Sequence, residues 1–121
     1  GLVTFHGPNG FSDWNDFTRQ SWEATLRGDA PQTLSPAPEN PDDVETGRFT
    51  ITPGKATGAL VGGNLTVLSN MVGSRYLPDF EGKILLLEDI DEAVYRIDRM
   101  LTHLALAKIL GKASGIVFAS C

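Results

Sequence analysis

The run Glu88-Asp89-Ile90-Asp91-Glu92 sets four carboxylates directly behind an apolar stretch, Ile84 to Leu87. A carboxylate can act as general acid or base, as nucleophile, or as the group that orients a catalytic histidine. At the start of a helix it also does plain electrostatic work, offsetting the macrodipole by roughly 0.3–1 kcal/mol. The sequence predicts that second use for Asp89, Asp91 and Glu92, ahead of a helix whose apolar stripe runs through Val94, Ile97, Leu101 and Leu104. Glu88 stands apart. It follows Leu87 with no turn residue between, so it is expected at the carboxyl end of a strand. In α/β sheets that edge is where ligands bind and catalytic groups collect.

A second candidate is Gly62-Gly63-Asn64, between a strand-like and a helix-like run. Glycines let backbone approach a ligand closely, and a helix N-terminus attracts a carboxylate. The same residues also suit a tight turn with an asparagine cap, and they match neither the Walker nor the dinucleotide fingerprint. The only histidines, His6 and His103, form no metal-ligand spacing with the single cysteine, Cys121. Of Ser12, Ser21, Ser35, Ser69, Ser74, Ser114 and Ser120, none lies in a Gly-x-Ser-x-Gly elbow. No metal or organic cofactor is expected.

The elements that must position these groups follow from periodicity and punctuation. Leu2 to His6 reads as a strand closed by Gly7-Pro8-Asn9-Gly10. A helix follows, capped by Ser12 or Asp13, with Trp14, Phe17, Ser21 and Leu26 near one face and Gly28 as its stop. Pro31, Pro36, Pro38 and Pro41 mark an extended connector over 29–47. Beyond it come a strand over Arg48 to Thr52, a second in Gly58 to Asn64, and a helix capped by Asn64 and stopped at Gly73. Ile84 to Leu87 reads as a strand buried on both faces. The stripe helix ends at Gly111, and Ile116 to Ala119 is a last strand. This order predicts an α/β fold, a mixed sheet with flanking helices. The 121 residues suffice for one core, the net charge of −5 gives no nucleic-acid footprint, and no apolar run approaches a membrane span. Strand-like runs at both ends suggest a piece of a longer polypeptide.

Three segments taken together, Gly1 to Pro8, Gly58 to Leu101 and Gly115 to Cys121, resemble the LD-carboxypeptidase family of serine peptidases, which includes the microcin-C immunity peptidases. Gly-Gly-Asn-Leu and Leu-Glu-Asp, about two dozen residues apart, are its most specific pair. The resemblance implies an incomplete piece of a two-lobe enzyme: 1–28 ending the amino-terminal lobe, 29–47 the interlobe connector, and 48–121 the first part of the carboxyl-terminal lobe. It implies a Ser-Glu-His triad that cleaves the amide to a terminal D-alanine in murein tetrapeptides, in the bacterial cytoplasm. It places the glutamate on Glu88 and a supporting, substrate-side role on Gly62, Gly63 and Asn64. The serine and histidine fall outside this chain, so these residues alone are expected to be inactive. The expected partner is a murein peptide, with no nucleic acid or membrane and with homodimerisation of the intact enzyme open. Three alternatives stay open: a microcin-immunity-type peptidase, a non-catalytic module that binds peptide carboxylates, and a structural α/β fragment with no independent activity.

Overall fold

The structure, a computed structural model, describes residues 7, 10, 11, 13–28 and 50–119. The expected first strand, the whole proline-rich connector, His6 and Cys121 lie outside them. The chain divides into two compact units, Gly1–Thr50 and Ile51–Cys121.

In the first unit, helix α1 spans Asp16–Arg27. Its cap is Asn15, whose side chain accepts from the Thr18 amide at 2.8 Å; the expected cap at Asp13 falls two residues short. Gly28 stops the helix as predicted, in the left-handed conformation at φ 70°. The expected stripe is rotated. Trp14, Thr18, Trp22 and Ala24 are the half-buried positions, while Phe17, Ser21 and Leu26 are exposed. The two indoles meet edge to face at 5.8 Å, and that pairing across two turns sets the inner face.

The second unit holds a three-stranded sheet in the order β1 (Leu60–Asn64), β2 (Ile84–Glu88), β3 (Gly115–Phe118). Both pairings are parallel. The mixed sheet of the sequence reading is therefore parallel across its described strands, because each strand reaches the next through a helical crossover. The strand expected over Arg48 to Thr52 does not form where it is described, at Thr50 to Thr52. Alternating side chains supply a pattern but no ladder partner, and Pro53 removes a donor beside them.

Helix α2 (Leu65–Asn70) connects β1 to β2, and helix α3 (Val94–Leu106) connects β2 to β3. The helices touch each other, and right-handed crossovers between sequential strands set both on one face of the sheet. That geometry explains the burial of β2. Leu85 and Leu87 are fully buried with Leu65, Leu68, Phe80, Met100, Leu104 and Ile109. Ile84, Leu86 and Glu88, which alternate with them, are half-buried. The strand is thus sealed on its helix side and only partly covered on the other. The α3 stripe is also displaced: Met100 and Leu104 form its buried centre with Ile97 and Leu101 beside them, while Val94 is exposed. α3 stops at Leu106, before Gly111, where Lys108 turns left-handed at φ 59° and a single 3-10 turn begins at Leu110.

Candidate active site

β1 and β2 end together: the last registered pair is Asn64 with Glu88. Glu88 stands where the sequence placed it, as the final residue of β2, half-buried on the face of Ile84 and Leu86. Rigid ladder holds it from behind, with the Ala119 amide donating to the Leu87 carbonyl at 2.8 Å.

Asn64 fulfils its predicted capping role and adds a second. Its Oδ1 accepts from the Val67 amide at 3.0 Å, while its Nδ2 donates to Asp89 Oδ1 at 2.9 Å. Gly62 faces β2 so closely that a Cβ would overlap the Leu86 carbonyl oxygen. Gly63 is buried, yet among the described residues, its chain neighbours aside, a Cβ there would meet no atom within 4 Å. The two glycines therefore do different things: Gly62 permits strand contact, and Gly63 leaves space beside the strand end.

The main correction concerns Asp89. The sequence assigned it to the start of α3, but α3 has no acidic residue in its first turn, and its N-cap, Ala93, makes no side-chain cap bond. Asp89 serves the start of α2 instead. Its Oδ2 accepts from the Thr66 amide at 3.0 Å and the Thr66 hydroxyl at 2.8 Å, and its Oδ1 from Asn64 Nδ2 and the Ile90 amide, each at 2.9 Å. The side chain is 7 % exposed. Strand alternation sends Glu88 and Asp89 to opposite faces, so adjacent carboxylates meet different surroundings. Nothing local signals this use, since the partners lie 23 and 25 residues away. The helix N-terminus is already served by the protein's own carboxylate, which leaves no need there for a ligand's. Asp91 takes the exposed left-handed turn at φ 53°. Glu92 pairs with Arg96 at 3.6 Å and accepts a long contact from Thr66 at 3.4 Å.

Burial pushes the Asp89 carboxyl up, but bonds from Thr66, Ile90 and Asn64 outweigh it and hold the group below its ordinary value. A folded-state pKa below the unfolded one stabilises the fold above the unfolded value and loses that effect as pH falls through the folded value. Wild type should therefore exceed Asp89→Asn in urea midpoint near neutral pH, and the gap should close as pH drops below about 4. A gap independent of pH would mean that ionised Asp89 contributes nothing to the fold.

A shallow cleft of about 310 Å³ opens between α2 and α3, bordered by Thr66, Ser69, Glu92, Arg96, Arg99 and His103. Hydrogen bonding and charge from Arg96 hold the Tyr95 phenol below its usual pKa. His103 thus lies along the groove between α2 and α3. Among the described residues no group of three His, Cys, Asp or Glu side chains could hold a metal ion. None of the described helices is long and apolar enough to cross a membrane.

Parallel strands with crossover helices on one face, and carboxylates at the strand ends, define an α/β domain of the kind that works at the carboxyl edge of its sheet. Residues 57–121 match the LD-carboxypeptidase C-terminal domain. The chain is 39% identical to a probable murein peptide carboxypeptidase of Bacillus subtilis, over 97% of this chain and 36% of that protein. It is 35% identical to the microcin C7 self-immunity protein MccF of Escherichia coli, over 53% of this chain and 19% of that one. The crystal structure of muramoyltetrapeptide carboxypeptidase from Oxalobacter formigenes superposes with a TM-score of 0.66 at 32% identity, covering 95% of this chain and 38% of that one. The chain belongs to the LD-carboxypeptidase family, and it spans just over a third of the length of the first two carboxypeptidase relatives it matches.

Proposed function

We infer that these residues are part of a serine-type LD-carboxypeptidase that releases a terminal D-alanine from murein tetrapeptides during cytoplasmic peptidoglycan recycling. The observation that carries the reading is Glu88, half-buried at the end of β2 and in register with Asn64, inside a Leu-Glu-Asp segment that resembles the family's. Glu88 is the triad carboxylate: it accepts a hydrogen bond from the histidine, fixes its tautomer and stabilises the imidazolium. The serine and histidine belong to parts of the protein outside these 121 residues. Residues 1–28 end the nucleophile lobe, 29–47 connect, and 48–121 begin the second lobe. Gly62, Gly63 and Asn64 border the substrate, with Gly63 leaving the space. The non-catalytic carboxylate-binding module is the weaker reading, because Asp89 and Asn64 already cap α2.

A coupled assay of D-alanine release decides the matter. The full-length protein should turn over an L-Ala-D-Glu-diaminopimelate-D-Ala peptide, and the 121-residue chain should not. Hydrolysis of a nucleotide-linked microcin-type peptide in place of the tetrapeptide would move the substrate to the MccF side of the family. Turnover by the 121-residue chain itself would overturn the division of the triad.

A further inference from the structure

We propose that Asp89 is the positioning residue for Glu88, a clamp that locks the end of β2 onto the start of α2. This rests on the assignment of Glu88 above. The strand ladder supports Glu88 from behind, but β2 ends at that residue. What fixes the chain immediately beyond it is the Asp89 carboxylate, with two acceptor contacts reaching Thr66 and one reaching Asn64 across the gap between elements. The fourth, from the Ile90 amide, sets the turn that follows. With its neighbour's side chain held by four bonds, Glu88 has little backbone freedom left, which is what orienting a histidine requires. The same clamp holds Asn64, so the Gly62-Gly63-Asn64 end of β1 and Glu88 form one rigid unit.

The chemistry of the clamp is specific to a carboxylate. All four groups facing Asp89 donate, and each oxygen faces one main-chain amide: Ile90 at Oδ1 and Thr66 at Oδ2. A main-chain N–H cannot reverse its polarity. An asparagine in this place sets its NH2 against one of those two amides in either flip, whereas an aspartate satisfies both. Burial makes such a conflict costly, because a stranded donor keeps its full desolvation penalty.

The test uses full-length protein and D-alanine release, with Glu88→Gln, Asp89→Asn and Thr66→Val beside wild type. Asp89→Asn should lower kcat about 100-fold per folded molecule with KM within about threefold, the scale of a small misplacement in a catalytic group. The acidic limb of its kcat/KM profile should move to lower pH, since a histidine less well supported by Glu88 gives up its proton more readily. Thr66→Val removes one bond of the four, so it should show the same signature at roughly a tenth of that loss. If Glu88→Gln is inactive while Asp89→Asn turns over normally with an unmoved pH limb, the positioning role is wrong and the triad assignment stands. Full activity in Glu88→Gln removes the triad assignment itself. Should Asp89→Asn not fold, Thr66→Val decides: an unchanged kcat and pH limb overturn the clamp.

Discussion

Glu88→Gln in the full-length protein is expected to cut turnover by about 10³–10⁴-fold with the fold intact, as removal of the orienting carboxylate does in other triads. Glutamine keeps the size and the strand-end position but exchanges an acceptor oxygen for a donor NH2. The histidine then loses the partner that selects its tautomer, and the imidazolium formed during attack loses its counter-charge. Both losses fall on the transition state, so kcat and kcat/KM should drop together while KM stays nearly constant. The far-ultraviolet spectrum and urea midpoint should stay close to wild type, because Glu88 lies on the less covered face of β2 and outside the core. Asp91→Asn is the matched control: an exposed turn carboxylate three residues along should leave kcat within about twofold. If Glu88→Gln retains wild-type turnover, Glu88 is not the triad carboxylate.

The strand that carries Glu88 was legible because local pattern and tertiary role agree there. Four apolar residues with no turn before the glutamate leave one natural place for it, the strand end. Asn64 was legible for the same reason, since a cap and the helix it caps are neighbours in sequence. Asp89 was not. Its sequence context, an acid a few residues before a helical stripe, is what a capping residue of α3 would show, and it does serve a helix start. That helix is α2, brought near by parallel pairing of β1 with β2, a long-range event that no local spacing encodes. The position over Arg48 to Thr52 failed in the opposite direction: correct alternation, but no ladder at the described end. Strand pattern states which face a residue would take, and a partner strand decides whether there is a sheet to take it in. The stripes of α1 and α3 shifted for a related reason. The choice of inner face came from Trp14 against Trp22 and from Met100 against the sheet.

Gly62→Ala should be the most damaging single-methyl change in the second unit. Gly62 sits at φ 147°, and a Cβ built on it overlaps the Leu86 carbonyl oxygen and lies 2.8 Å from the Leu86 amide nitrogen. Both obstacles are backbone of the central strand, which cannot swing aside as a flexible side chain would. Backbone strain at such a φ costs about 1–3 kcal/mol by itself, and separating two paired strands adds the loss of their ladder. A total of at least about 4 kcal/mol is expected, a large share of a typical domain's 5–15 kcal/mol. Gly63→Ala supplies the comparison. Its φ of 139° carries similar strain, but among the described residues its Cβ meets no atom within 4 Å, so the cost should stay near the 1–3 kcal/mol of strain alone. Urea midpoints of the two variants in the full-length protein measure the difference, and equal midpoints would remove the steric argument for Gly62. The folded Gly63→Ala protein then carries the functional question. If the space beside Gly63 belongs to substrate, the added methyl should raise KM for the tetrapeptide while leaving the pH limb set by Glu88 and its histidine in place. An unchanged KM would confine Gly62, Gly63 and Asn64 to holding the strand end in position.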